Sequence, residues 1–218
     1  MLRLSAIVPV YNNQETLARV LAVLLHHPAI AEVVAVDDGS ADASPRILAK
    51  TKGVRVVTHK INQGKGAGIV SGWKAARLNT LLTVDADLAR LTAEHLDTLI
   101  SEFLADSLDM VVGARENPYV FGWVSGERIY KKDNVMPYAE LATGVGNGIE
   151  QVINFAHRGK RTKLIILKNV GHILKLQRHA PQRAAWLYLK EGWQLAKTEY
   201  WLRFRTKLPL PVTKQENW

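Results

Sequence analysis

The sequence predicts an α/β protein, a mostly parallel sheet with helices on both faces, and three observations predict it. Across residues 3–114, short β-branched apolar runs alternate with helix-like segments, the pattern of strand–helix–strand units. The runs are almost continuously apolar, as in strands buried on both faces. Polar or glycine-rich residues follow each run, beyond the carboxyl ends of the strands, where open α/β sheets bind ligands.

The elements follow in order. Strands are expected at Leu4–Val10, Val33–Val36, Val54–Thr58, Leu81–Val84 and Met110–Val112. Helices are expected at Glu15–His27, Ala43–Lys50, Gly66–Leu78 and Ala93–Leu104, the last capped by Thr92. Residues 117–148 are richer in Gly, Pro and aromatics and are expected to form site loops with a short helix. A helix at Ile149–His157, a strand at Lys163–Leu167 and a long helix at Ala184–Arg205 complete the chain, with Pro209 and Pro211 stopping the last helix. The expected organisation is one domain at 1–183 and a basic, aromatic helix and tail at 184–218.

Composition narrows the classes. The chain has 218 residues, enough for a substantial core, and no cysteine, which excludes disulfides and thiolate metal sites and fits a reducing compartment. No stretch approaches the roughly 18 apolar residues of a membrane span, so the expected location is cytoplasmic, peripheral on the cytoplasmic face of a membrane if lipid is involved. Residues 1–149 carry 15 Lys+Arg against 16 Asp+Glu, while residues 150–218 carry 14 against 4. The second part suits an anionic partner. Nucleic acid is not the expected one, because the carboxylates at the strand ends would repel a phosphate backbone.

The strongest chemical signal is Asp85-Ala86-Asp87 after the fourth run. Two carboxylates one residue apart can hold a hard divalent cation, Mg²⁺ or Mn²⁺, and leave coordination positions for a diphosphate. Alone, the pair is more often a solvated loop; its place at a strand end reverses that preference in favour of the cation. Val36-Asp37-Asp38-Gly39-Ser40 after the second run offers a carboxylate for a base or ribose, with one aspartate expected to serve only the turn. Gln63-Gly64-Lys65-Gly66-Ala67-Gly68 opens a helix, where free N–H groups and Lys65 favour an anion. Close helix packing explains the glycines equally well.

In this order, Val8-Pro9-Val10-Tyr11-Asn12, Val36-Asp37-Asp38-Gly39-Ser40, Asn62-Gln63-Gly64-Lys65-Gly66 and Asp85-Ala86-Asp87-Leu88 resemble family 2 glycosyltransferases of the GT-A type. Dolichol- or polyprenol-phosphate mannosyltransferase-like members are the nearest subgroup; Gly126-Glu127-Arg128-Ile129 and Gly148-Ile149-Glu150 also match it. The resemblance implies a nucleotide-sugar donor, with Pro9, Tyr11 and Val36 lining the nucleotide pocket and Asp38 on the base or ribose. It implies Asp85, Ala86 and Asp87 at the metal and diphosphate, with Asp87 catalytic, and Arg115 and Arg128 on phosphates. Asn13 stands where the family carries an acid, so Glu15 is the nearest substitute, and Leu88-Ala89-Arg90-Leu91 lacks the family's His-Pro.

Inverting transfer to a hydroxyl needs a general base, for which Glu150 is the candidate; a phosphate acceptor is already ionised and needs none. The expected acceptor is a polyprenyl or dolichyl phosphate, and a saccharide or other soluble hydroxyl is the alternative. On the last helix, Trp186, Leu189, Trp193, Ala196, Tyr200 and Phe204 form one stripe edged by Lys190 and Lys197. That stripe suits an anionic membrane surface, the domain core or a second subunit.

Overall fold

The computed structural model describes residues 2–114, 122–171 and 181–204. Among the described residues seven strands form one sheet: β1 (Leu4–Val10), β2 (Ile30–Asp37), β3 (Val54–Thr58), β4 (Thr80–Thr83), β5 (Met110–Ala114), β6 (Arg128–Lys131) and β7 (Thr162–Ile166). Their order is β3-β2-β1-β4-β6-β5-β7. β1 pairs in parallel with β2 and with β4, β2 with β3, and β5 with β7. β6 runs antiparallel, between β4 and β5. Expected strands and observed ones agree to within a few residues, except that β6 arises inside the segment expected to be loops. Its four residues are too short a run to stand out among the glycines and aromatics around them.

The helices are α1 (Leu17–His26), α2 (Ser44–Lys50), α3 (Lys65–Ala75), α4 (Ala93–Ala105), α5 (Lys132–Val135), α6 (Ala139–Thr143), α7 (Ile149–Ala156) and α8 (Pro181–Phe204). Each long one buries a stripe. α1 buries Leu17, Val20, Leu21 and Leu24, and α4 buries Leu96, Leu99 and Phe103, both at the spacing of a helix face. α4 starts where Thr92 and His95 form a capping box, the Thr92 N–H donating to His95 Nδ1 at 3.1 Å.

The strands split the core in two. Ala6, Val8 and Val10 face a cluster with residues of α1, α2 and α4, whereas Ile7 faces one with Ile69, Val70 and Trp73 of α3, Ile149, Val152 and Phe155 of α7, and Leu202 of α8. The period of two along β1 thus puts helices on both faces. Within the second cluster a buried hydrogen-bond chain links Trp73 Nε1, Tyr130 Oη and Thr83 Oγ1, at 2.8 Å and 2.7 Å.

Because β1 lies between β2 and β4, the chain leaves β1 on one side and returns on the other. The crevice at this switch of direction opens at the carboxyl ends of β1, β2 and β4. The turns that carry Tyr11, Asp38 and Asp85 therefore meet there.

Candidate active site

The first wall is built from asparagine and serine side chains that tie two turns together. Asn12, in a left-handed conformation (φ 53°), accepts the Ala41 N–H on Oδ1 at 2.8 Å, while its own N–H donates to Ser40 Oγ at 3.0 Å. Asn13 Oδ1 accepts the Tyr11 N–H at 2.9 Å, and the Asn13 N–H donates to Ser44 Oγ at 2.9 Å. Asn13, which stands in place of the family's acid, is thus a buried brace. Tyr11 at the end of β1 is left 48% exposed over the crevice, Pro9 is half-buried and Glu15 is exposed.

The two aspartates after β2 divide their work. Asp37 Oδ1 accepts the Ser40 N–H at 3.0 Å, holding the turn at Gly39, whose φ of 74° suits glycine. Asp38 is only 4% exposed and its carboxylate meets three partners. Oδ1 lies 2.6 Å from His59 Nδ1 and accepts the Gln63 N–H at 2.9 Å; Oδ2 accepts the Gly64 N–H at 2.8 Å. His59 Nε2 lies 2.9 Å from Ser71 Oγ. Asp38 therefore pins the glycine-rich loop against the β2 turn, and His59, which no sequence spacing signals, is its partner.

The pinned loop delivers Lys65, the first residue of α3, to the second wall. Lys65 Nζ lies 2.8 Å from Asp85 Oδ1 and 2.6 Å from Glu150 Oε1. Both carboxylates hold the ammonium's pKa above its ordinary value against the opposing effect of burial. The sequence points Lys65 at an incoming anion; the fold also gives it two resident ones. Gly66 allows the close approach, since a Cβ there would collide with the Ala142 carbonyl. Asp85 rests against Gly126 so closely that any side chain at 126 would occupy the carboxylate's place.

Several expected contact residues stand behind the site. Val36 is fully buried against Gly68, and Ala86 is 2% exposed with its methyl in the core and its carbonyl accepting from Thr16 Oγ1 at 2.6 Å. Neither presents a side chain to the crevice. Arg128, expected on a phosphate, has no exposed surface. Its guanidinium donates to the carbonyls of Ser125 and Trp123 and to Asn154 Oδ1, the last at 2.9 Å. Burial of the β6 strand turns this charge inward, so Arg128 braces the 123–128 turn beneath Asp85. Glu150 is 3% exposed and held by Lys65, not poised as an unengaged base. Arg115 lies outside the described residues.

Do Asp85 and Asp87 fit a divalent cation? Both are partly exposed carboxylates at the end of β4, and the Lys65 ammonium already stands as a positive charge beside Asp85. Among the described residues no three His, Cys, Asp or Glu side chains cluster as a complete metal cage. Two carboxylates with the remaining positions left to diphosphate oxygens and water suit Mg²⁺ or Mn²⁺. The residues fit.

Comparisons with known proteins bear on the fold and the family. The chain is 32% identical over 125 residues to dodecaprenyl-phosphate galacturonate synthase of Rhizobium johnstonii, an overlap of 53% of this chain and 37% of that one. It is 34% identical over 128 residues to undecaprenyl-phosphate 4-deoxy-4-formamido-L-arabinose transferase of Pseudomonas paraeruginosa, covering 55% and 37%. The match thus spans about 37% of the length of these relatives. Glucosyl-3-phosphoglycerate synthase from Mycobacterium tuberculosis, solved with Mg²⁺ and uridine diphosphate, superposes with a TM-score of 0.73 at 16% identity, covering 92% of this chain and 79% of that one. The GT-A fold expected from the sequence is the observed one. The model of glycosyl transferase family 2 matches residues 5–165, and the chain belongs to that family.

Proposed function

We propose that the chain is an inverting glycosyltransferase that moves a hexose from a GDP- or UDP-sugar to a polyprenyl or dolichyl phosphate, with residues 1–183 as its catalytic domain and 184–218 as an arm. The observation that carries the reading is the join at residues 63–65. Asp38 takes the N–H groups of Gln63 and Gly64, and the next residue, Lys65, reaches Asp85. The nucleotide side and the cation side of the crevice are therefore continuous, as a nucleoside diphosphate requires.

In this reading Tyr11 and Pro9 flank the nucleotide, with Glu15 at the rim, and Asp38 orients the loop beside the ribose. Asp85 and Asp87 hold Mg²⁺ or Mn²⁺, which when bound neutralises charge developing on the leaving diphosphate. Lys65 at the start of α3 adds a positive charge and a helix N-terminus to the same place. An acceptor phosphate oxygen attacks the anomeric carbon as the sugar–diphosphate bond breaks, and the nucleoside diphosphate departs with the bonding pair.

The acceptor class rests on Glu150. A hydroxyl acceptor needs a base, and the best candidate is buried and ion-paired. A phosphate acceptor needs no base, and the relatives' names specify prenyl phosphates. The test is sugar transfer to a short polyprenyl phosphate against the matching polyprenol. Transfer to the phosphate is expected, with Glu150→Gln losing less than about tenfold in kcat, whereas removing a true base costs roughly 10²–10⁴-fold. Transfer to the alcohol alone, or a loss in that larger range with the fold intact, would reverse the assignment.

A further inference from the structure

We propose that the exposed face of α8 around Leu189 and Trp193 docks on an anionic lipid bilayer, with the opposite face of the helix fixing its orientation relative to the active site. The proposal deepens the lipid-phosphate reading above by naming the surface on which such an acceptor would be met.

Two faces of α8 are distinct in the fold. On one, Thr198 is 5% and Leu202 1% exposed. Gln194 Oε1 on this side accepts the Asn147 N–H at 3.2 Å, and Thr198 lies so close to Gly148 that a side chain there would collide. On the other, Trp186 is 58%, Leu189 74%, Trp193 71% and Tyr200 58% exposed. At 3.6 residues per turn these positions lie on roughly opposite sides of the helix. Trp186, Leu189, Trp193 and Tyr200 of the expected aromatic stripe therefore face away from the domain, and a second stripe, Gln194, Thr198 and Leu202, does the packing.

Charge and side-chain type select the occupant. Residues 181–218 hold 7 Lys+Arg against 3 Asp+Glu, and Lys197 and Arg203 are exposed beside the stripe. A second copy of a chain with net charge +9 would bring like charge to this face, whereas anionic headgroups are attracted. Nucleic acid would meet the cations and could stack on tryptophan, but offers no apolar phase to Leu189. Tryptophan and tyrosine with a flanking lysine match the boundary between headgroups and acyl chains.

The packed face ties this surface to the site. The 146–148 turn that seats Gln194 and Thr198 also contacts Gly64 and Gly66 on either side of Lys65, and leads into Glu150. Docking by α8 would thus set the crevice at a defined attitude to the bilayer.

The experiment is co-sedimentation of the full chain with vesicles of phosphatidylcholine alone or mixed with phosphatidylglycerol. The wild type is compared with Leu189→Ser/Trp193→Ser, whose sites are exposed enough to keep the fold. Wild-type binding to the anionic vesicles and a loss of at least about tenfold in the double variant are expected, since two large apolar side chains are removed. Quenching of wild-type tryptophan fluorescence by brominated acyl chains, an assay that needs no substitution, is expected as well. No wild-type binding, no quenching, or equal binding by the double variant overturns the proposal. So does a wild-type dimer in sedimentation velocity without lipid that the double substitution dissociates, which assigns the face to a second copy. Metal-dependent donor hydrolysis, measured without vesicles, reads the transferase proposal separately and is expected to be the same in both proteins.

Discussion

The two acidic turns of the crevice are held in opposite ways. Asp38 is locked by two backbone N–H groups and His59, all fixed to the frame. Asp85 is met by the ammonium of Lys65, at the end of a long side chain shared with Glu150. A carboxylate held by backbone amides is an architectural part, because those partners are fixed to the frame. A carboxylate whose partner is a side-chain cation can exchange that partner for another cation. In the proposed function, the Asp38 turn supplies shape and the Asp85 turn chemistry, although both read as acidic strand-end motifs in the sequence.

Breaking the Lys65 bridge has the largest expected effect on stability. Lys65→Met leaves Glu150, 3% exposed, without its cation, a loss of about 3–5 kcal/mol measurable by urea unfolding. Adding Glu150→Gln removes the orphaned charge and is expected to restore most of it. If the single variant unfolds like wild type, the bridge contributes nothing and the comparison fails.

His157 tests the support behind the bridge. Its ring sits edge-on to Tyr130, with Nδ1 2.8 Å from the Ile153 carbonyl, and burial, with Arg128 nearby, pushes its pKa down to about 4. An unfolded imidazole titrates near 6.5, so between about 6.5 and 4 the unfolded chain binds a proton that the folded one refuses. Stability from this group is therefore full above that window, falls as pH drops through it, and levels off below. The total is on the order of 3 kcal/mol. His157→Gln is expected to flatten that part of the melting-temperature profile, and an unchanged acid slope would remove the assignment.

Asp38→Asn sharpens the architectural half of the comparison. The amide keeps one acceptor oxygen and turns the other into a donor facing the Gly64 N–H or its neighbours, an expected cost of about 1–3 kcal/mol. Because the same contacts seat Lys65, the variant should also weaken nucleotide binding. Weakened binding with unchanged stability would make Asp38 a direct ligand instead.

Much of this was legible in the sequence because the signals are local. Continuous apolar runs gave the parallel strands, and Asp85-Ala86-Asp87 and Asp37-Asp38 lie at the strand ends where they were expected. What the sequence does not show depends on contacts distant in the chain. Whether Asp38 meets a ligand or the N–H groups of residues 63 and 64 depends on how a loop 25 residues away folds back. Arg128 carries the family's motif, yet β6 inserts it under Asp85, and no spacing reveals which way a strand residue in a glycine-rich segment points. The aromatic stripe of α8 was visible, but its direction was set by Gly148, whose missing side chain admits Thr198.

The cation role of the β4 turn is tested most directly by thermal shift with nucleoside diphosphates, with and without Mn²⁺, on wild type and Asp87→Ala. Binding to the folded state alone raises its apparent stability by mass action. The expected result is a wild-type shift with UDP or GDP that requires Mn²⁺ and is absent in Asp87→Ala, whose own melting without ligand stays near wild type. A nucleotide shift of equal size without Mn²⁺, or one that survives in Asp87→Ala, would contradict the account.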